Sequence, residues 1–289
     1  MADSSGQSTI RGIDIDKLVK GFAEEENVFK KFVTVTTTSA REIRWYQKTS
    51  GFLDSVDTSG ITASQIANTS QGSLPVVVEQ SWTRQTSYVR KYFVESPMLT
   101  FEDIRDTDID ILATNIRDLV RAVARQVDAR IYSVISSGTS NSTASTAAWD
   151  ASSGQDPIKD IMVAKRKIRQ AGYNPEGGVL LLNSTDHANL LVWLISTKGA
   201  SIPAFSSSRL EDGTVMEILG LGVAVSENVT SDEAMVLVRG RACTWKGFTE
   251  ITSATIEDKG IGTKIRVWEE GEALLTDPYA CAKITNTLT

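Results

Sequence analysis

Two strand-like segments on either side of a long polar stretch place the strongest constraint on how this chain can fold. Residues 41–48 and 76–94 show the alternation typical of β-strands, whereas residues 49–74 between them are rich in Ser, Thr and Gly and almost uncharged. Such a stretch buries little apolar surface, and an isolated two-stranded ribbon is only marginally stable in water. We therefore expect an extended ribbon that needs another surface, and a neighbouring subunit is the simplest candidate.

One face of the second strand carries the residues that we expect to contact this neighbour. Alternate positions there are aromatic or basic, and the candidates are Trp82, Arg84, Tyr88, Arg90 and Tyr92. The basic side chains could simply be solvated, or they could pair with acids of another subunit such as Asp106 and Asp108. Nucleic-acid binding by the ribbon is disfavoured, because the chain carries a net charge of −6.

A single long helix is predicted after the ribbon. Apolar residues recur every three or four positions from about 106 to 135, with acids near the start and arginines toward the end. About thirty residues at 1.5 Å each give a helix roughly 45 Å long, which is unusual for one globular domain. Residues 136–155 are low in complexity and carry one charge, so we expect a loop or linker there.

The following region has the alternation of an α/β unit. Asp156 and Pro157 predict a helix start, and the apolar residues Ile158, Ile161, Met162 and Ile168 are expected to form its buried side. Residues 177–182 predict a buried central strand, and Asn183 or Ser184 is expected to cap a third helix. Short strands are expected near 222–226, 234–239, 255–259 and 264–269, with a last extended segment over 273–285.

The sequence offers little that could carry catalysis or hold a metal. His187 is the sole histidine, no nucleophile-elbow motif is present, and we expect a partly exposed histidine on a helix. Cys243 and Cys281 are too few and too distant for a zinc site or a disulfide framework. We therefore predict no catalytic, cofactor or metal residues and no enzyme activity. A secretion signal and an apolar run long enough to span a membrane are also missing from the sequence.

The order of these parts resembles a known family. A polar arm, a long ribbon, one long helix, a compact α/β region and terminal strands are similar to the major capsid proteins of tailed bacteriophages and related archaeal viruses, with the Hong Kong ninety-seven-like fold. Residues 161–183 resemble the helix, turn and strand of that family's axial domain, and residues 276–284 resemble its C-terminal strand.

The resemblance implies an α+β fold with four parts. Residues 1–40 would be the N-terminal arm, and residues 41–95 the extended loop formed by the β-ribbon. Residues 96–154 and 251–289 would form the peripheral domain with its spine helix, and residues 155–250 the α/β axial domain.

The implied function is that of a major capsid protein. Its copies would form pentamers and hexamers of an icosahedral shell that encloses a double-stranded DNA genome without sequence-specific binding. The arm begins almost at the first residue, so, for a full coding sequence, either a separate scaffolding protein is expected or scaffolding is dispensable; a portal and a decoration protein are further candidate partners. The protein would lie in the virion after assembly in the host cytoplasm, with no membrane partner. An encapsulin-type nanocompartment shell, with the same fold and length, is the nearest alternative, and a small soluble enzyme is a distant one.

Overall fold

The computed structural model describes residues 28–50, 70–72, 74, 81–102, 111–198 and 217–289. Most of the expected N-terminal arm and the tip of the ribbon lie outside these residues. A short 3₁₀ helix spans Phe29–Lys31. The α-helices are α1 (Ile111–Gly138), α2 (Pro157–Gln170) and α3 (Ser184–Trp193). The strands are β1 (Thr34–Thr37), β2 (Glu42–Ser50), β3 (Ser81–Tyr88), β4 (Arg90–Glu95), β5 (Leu99–Thr100), β6 (Asn141–Ala144), β7 (Val179–Leu182), β8 (Glu217–Ile218), β9 (Leu221–Val225), β10 (Glu233–Leu237), β11 (Cys243–Asp258), β12 (Gly262–Leu275) and β13 (Cys281–Thr285).

A five-stranded sheet and the long helix α1 form one half of the structure. The strand order is β1-β11-β12-β4, and β5 pairs with the far end of β12. The antiparallel hairpin β11–β12 is its centre, and β1 joins β11 in parallel. Helix α1 packs on β12 and β4 through a stripe of residues that repeats every three or four positions, including the fully buried Val120, Val127 and Ile131. The predicted long helix is confirmed, and residues 103–110 before it lie outside the described part.

A six-stranded sheet forms the other half, in the order β6-β13-β10-β7-β9-β8. Strand β7 lies inside it, antiparallel to β10 and parallel to β9. Its residues alternate between two apolar clusters, since Val179 and Leu181 join the cluster that contains α1, while Leu180 and Leu182 join the cluster under α2 and α3. Burial on both faces explains the uninterrupted apolar run of this central strand, as predicted.

Both predicted helix caps are confirmed. The Asp156 side chain accepts a hydrogen bond from the Lys159 backbone N–H at 3.1 Å, and Asn183 does the same for Thr185 at 3.1 Å. Gly172 follows α2 with a φ of +85°, a conformation that glycine adopts without steric cost.

Three expectations need correction. Residues 136–155 are not only a loop, because β6 pairs there in parallel with β13. The strands expected over 255–259 and 264–269 are the outer part of a much longer hairpin that begins at Cys243. Met162 does not lie on the buried side of α2, since 56% of it is exposed, and Ile158 is only half-buried. Ile161 and Ile168 are buried as predicted, and Ala164 joins them in the apolar cluster under α2.

Sheet membership also crosses the expected domain boundaries. Strands β6 and β13 were assigned by the sequence to the peripheral part, yet both pair within the six-stranded sheet. Strand β11 begins at Cys243, inside the expected axial part, yet it belongs to the five-stranded sheet. The division into arm, extended loop, peripheral and axial parts stays a prediction.

Candidate subunit-contact surface

The ribbon consists of β2 and β3, which pair with each other and with no other strand of the described residues. Opposite residues share a face, from Glu42 against Tyr88 to Lys48 against Trp82. One face, which we call the outer face, carries Glu42, Arg44, Tyr46, Trp82, Arg84, Thr86 and Tyr88. The other face carries Ile43, Trp45, Gln47, Gln85 and Ser87.

The outer face is aromatic and exposed. Trp82 is 55% exposed, Tyr88 65% and Tyr46 61%, and Arg84 is exposed beside them. Large aromatic side chains rarely gather on a free surface unless the surface meets a partner. The sequence predicted Trp82, Arg84 and Tyr88 on one face, and pairing with β2 adds Tyr46, which sequence analysis missed because it lies on the other strand.

The inner face of the ribbon rests on its own subunit. Ile43 is 7% exposed, and the Trp45 indole N–H donates to the Leu275 carbonyl at 2.9 Å. The Gln47 side-chain amide donates to the same carbonyl. A cavity of about 490 Å³ lies beneath, lined mostly by polar side chains of the ribbon, α1 and the end of β12. The root of the ribbon is therefore fixed at a few points, while its outer face is uncovered.

Arg90 and Tyr92 lie beyond the ribbon. The strand breaks at Val89, whose N–H donates to the Arg41 carbonyl at 2.9 Å, and β4 then pairs with β12. The Tyr92 ring lies 6.3 Å from that of Trp245, and burial raises the pKa of its hydroxyl to about 12. The Arg90 Nε is 3.2 Å from Glu272 Oε2. Both side chains are thus used within the subunit, whereas the outer-face residues are not covered by it.

A row of buried acids on β12 was not anticipated from the sequence. Glu269, Glu270 and Glu272, which we call the acid row, are only 2%, 8% and 0% exposed. Carboxylates at such depth are tolerated only when cations or hydrogen bonds compensate them. The run of three acids in four residues within a strand pattern was the available signal, since strands disfavour such charge unless it is paired.

The compensating cations come from four different segments. They are Lys30 for Glu269, Arg41 and Lys91 for Glu270, and Arg90 and Arg130 for Glu272. Arg130 lies on α1, and its Nε donates to Glu272 Oε1 at 3.0 Å while a second guanidinium N–H donates to the same oxygen. The acid row therefore ties the base of the ribbon, β4, α1 and the 3₁₀ helix to one strand.

The start of the described chain is held by a buried acid outside the acid row. Asp128 on α1 is 2% exposed, and its carboxylate accepts the backbone N–H groups of Val28 at 2.8 Å and Phe29 at 3.2 Å. Burial raises its pKa to about 6, although these hydrogen bonds lower it. The expected partner acids of the ribbon, Asp106 and Asp108, lie outside the described residues.

The histidine and the two cysteines considered in the sequence analysis are half-buried or buried within the subunit. His187 lies on α3 and is half-buried, as predicted, and burial lowers its pKa. Cys243 and Cys281 are buried free thiols whose pKa values burial raises to about 12. The described residues contain no group of three or more His, Cys, Asp or Glu arranged to hold a metal. In the same part of the chain, no helix is long and apolar enough to cross a membrane.

A family model described as phage capsid protein matches residues 98–284, which is more than half of the chain. The chain belongs to the phage capsid protein family. Membership of this family implies a structural role in a capsid shell, as the resemblance had suggested, and the encapsulin alternative is not favoured. No curated protein matches this capsid protein.

Solved structures support the same fold over nearly the full length of this capsid protein. The capsid protein of cyanophage P-SCSP1u is 12% identical, with a TM-score of 0.66 over 90% of this chain and 88% of its own. A structure from Mycobacterium phage Che8 is 15% identical, with a TM-score of 0.64 over 91% of this chain and 92% of its own. The virus-like particle of Pyrococcus furiosus is 12% identical, with a TM-score of 0.60 over 95% and 99%. The α+β capsid fold predicted from the sequence is confirmed.

Proposed function

We propose that this protein is a major capsid protein whose copies close into pentamers and hexamers of an icosahedral shell around a double-stranded DNA genome. The observation that carries the proposal is the outer face of the ribbon, where Tyr46, Trp82 and Tyr88 stay exposed on an element that has no core of its own. An identical subunit is the simplest partner for such a surface, because closed symmetry lets one weak contact recur throughout a shell.

The aromatic side chains supply most of the expected contact energy. About half of the roughly 250 Å² of a tryptophan side chain is available at Trp82, and burying it at ~25 cal/mol per Å² contributes about 3 kcal/mol. An exposed ion pair made by Arg84 contributes only about 0–1 kcal/mol. Arg84 would therefore determine the register of the contact more than its strength.

The enclosed genome is proposed to be held without sequence recognition. DNA must enter and leave the shell freely. A protein with a net charge of −6 suits this role, because tight binding of DNA phosphates requires clustered cations. A separate scaffolding protein, a portal and a possible decoration protein complete the proposed partners. The proposed location is the virion, after assembly in the host cytoplasm.

Paired ribbon variants test the proposal. Trp82→Ala should weaken shells more than Arg84→Ala, and Thr86→Ala on the same face is the matched control. Particle yield and melting of assembled shells are measured, together with circular dichroism of dissociated subunits. All three subunits should remain folded, because none of these side chains is buried within the subunit.

Two results would count against the proposal. Unfolding of the free subunit by Trp82→Ala would place Trp82 in a core. A wild-type protein that stays monomeric under all salt and scaffolding conditions would exclude a shell altogether. Electron microscopy of particles, with extraction of any packaged nucleic acid, tests enclosure of the genome.

A further inference from the structure

A short turn between the two halves of the molecule carries two exposed arginines. It consists of Arg239, Gly240 and Arg241, which we call the basic turn, and it lies between β10 of the six-stranded sheet and β11 of the five-stranded sheet. Both arginine side chains are exposed to solvent. Neither forms an ion pair or a side-chain hydrogen bond with any residue that the structure describes.

The basic turn differs in this respect from the cations around the acid row. Side chains such as Arg90 and Arg130 lie beside a buried carboxylate and stabilise the subunit by compensating its charge. The arginines of the basic turn compensate no acid. Two like charges separated by one residue also repel each other. An arrangement that keeps both arginines together and unpaired therefore favours the binding of an anion.

The backbone of the basic turn is fixed by hydrogen bonds. The Gly240 N–H donates to the Phe32 carbonyl at 2.9 Å, and the Thr34 hydroxyl donates to the Gly240 carbonyl at 2.7 Å. The Arg241 N–H donates to the Val238 carbonyl at 3.3 Å. Gly240 has a φ of +64°, which glycine adopts without steric cost. The two arginine side chains therefore leave the turn from defined positions.

Aromatic rings hold the two guanidinium groups. The central carbon of the Arg239 guanidinium lies 5.4 Å from the centroid of the Phe32 ring, and that of Arg241 lies 5.9 Å from the Tyr173 ring. Both distances are within the range of cation–π attraction. Burial and the neighbouring Asp277 raise the pKa of the Tyr173 hydroxyl, so this ring stays neutral at physiological pH. A guanidinium over a ring still has N–H groups at its edge that can donate to an anion.

The residues connected by these contacts carry a surplus of positive charge. Lys31 is exposed and directly precedes Phe32, whose carbonyl accepts the hydrogen bond from the turn. Lys31 and the two arginines are three cations, whereas Asp277 is the acid that the same contacts bring beside Tyr173. The basic turn is therefore the centre of a positive patch on a chain whose net charge is −6.

We propose that the basic turn is a contact site for the phosphate backbone of nucleic acid, and that in an assembled shell it meets the enclosed double-stranded DNA. Guanidinium N–H groups pair with phosphate oxygens in a planar, two-pronged geometry. A duplex carries one negative charge per about 1.7 Å of its axis, so neighbouring phosphates can meet neighbouring cations. This inference rests on the proposed function, because that function supplies the DNA.

A contact of this kind reads no base sequence and stays weak. Three cations can neutralise only about two or three phosphates, and salt competes strongly with each of these contacts. DNA can therefore still move past any one subunit. Repeated on every subunit, the contacts would hold DNA near the wall of the shell without stopping its entry or exit.

Full-length dissociated subunits test the site with a short fluorescein-labelled DNA duplex, whose binding is followed by fluorescence anisotropy at several salt concentrations. Arg239→Gln and Arg241→Gln each remove one charge from the basic turn. Lys259→Gln, in the exposed turn between β11 and β12, removes one charge elsewhere and is the matched control. Arg241→Lys keeps the charge at the site. Circular dichroism and thermal melting report whether each variant is folded.

Each arginine-to-glutamine change should weaken duplex binding at low salt by about tenfold. It should also lower the slope of log Kd against log salt by about one, which is the contribution of one phosphate contact. Lys259→Gln should keep the affinity and the slope of the wild type, and Arg241→Lys should keep the slope. The melting temperatures should change little, because neither arginine is paired within the subunit.

Glutamine variants with the same affinity and salt slope as Lys259→Gln would overturn the proposal, as would a wild-type subunit that binds no duplex at low salt. Polyglutamate serves as a competitor that represents an acidic protein. If it displaces the duplex at an equal or lower concentration of charge, the basic turn belongs to an acidic protein partner and the proposal is wrong. These outcomes leave the shell function standing, which fails only if the wild-type protein itself does not assemble.

Discussion

Replacing Glu272 with glutamine tests whether the acid row holds the subunit together. Glu272 is 0% exposed, and one of its oxygens accepts two guanidinium N–H bonds from Arg130 while the other lies 3.2 Å from Arg90 Nε. Glu272→Gln keeps the shape of the side chain and removes its charge. Both arginines then lose their counter-charge, and the new amide N–H₂ group points toward cations.

The expected cost follows from how buried each partner is. Breaking a fully buried ion pair costs about 3–5 kcal/mol, because the remaining charge is left without compensation. Arg130 is 24% exposed and Arg90 57% exposed, so both can recover part of the loss through water. We therefore expect Glu272→Gln to lower the free energy of unfolding by about 2–3 kcal/mol. For a chain of 289 residues, that corresponds to a melting temperature lower by about 3–5 °C.

Urea unfolding of dissociated subunits, followed by tryptophan fluorescence, measures this cost. The matched control is Glu42→Gln in the ribbon, which breaks an ion pair with Arg44 of 2.7 Å that is open to solvent. The control should lower stability much less than Glu272→Gln, because water screens an exposed ion pair. A Glu272→Gln variant that is no less stable than the control would refute the reasoning, since burial would then add nothing to the pair.

Three further predictions concern other buried positions. Burial raises the pKa of Asp128 to about 6 from an ordinary 3.8, so its contribution to stability is fully present below about pH 4 and lost as the pH rises through 6. The stability difference between wild type and Asp128→Asn should therefore fall by about 2 kcal/mol from pH 4 to 7 in urea titrations. Gly271→Ala should lower stability by about 1–3 kcal/mol in thermal melts, because its Cβ would lie 2.4 Å from Trp245. Cys243 and Cys281 should resist a thiol reagent at pH 8 until the subunit is unfolded, since both are buried with pKa values of about 12.

The parts of the fold that were predictable carry their signal locally. Helix α1 repeats apolar residues over its full length, β7 is an unbroken apolar run, and the caps Asp156 and Asn183 stand directly before their helices. The paired strands of the ribbon alternate in the same way, so its outer face could be predicted for β3. In each of these elements, the residue types that the local pattern favours are also the ones that the folded subunit buries, caps or exposes.

The features that were missed depend on distant partners. Strand β6 has a polar sequence typical of a loop, yet pairing with β13 holds it, and Asn141 donates to the carbonyls of Tyr279 and Cys281. Met162 was expected in the core because it is apolar, and only the packing of α2 shows that it is exposed while Ile161, predicted beside it, is buried. Strand propensity is strongly dependent on context, and no local pattern reports which chain segment lies opposite.

The acid row explains how the subunit can fix the direction of the ribbon while the outer face of the ribbon stays uncovered. Arg41 precedes β2, Arg90 follows β3, and both ends of the ribbon therefore reach acids on β12, at 3.5 Å and 3.2 Å. Arg130 brings α1 to the same strand. Because these acids are buried, moving either end of the ribbon away from them leaves a charge uncompensated in the interior, which costs more than moving an exposed pair. Ion pairs thus bind the base of the ribbon to the sheet and to α1. The aromatic outer face of the ribbon is not covered by the rest of its own subunit. A neighbour that binds this face meets a ribbon whose direction the subunit has already determined, so less conformational freedom is lost on binding.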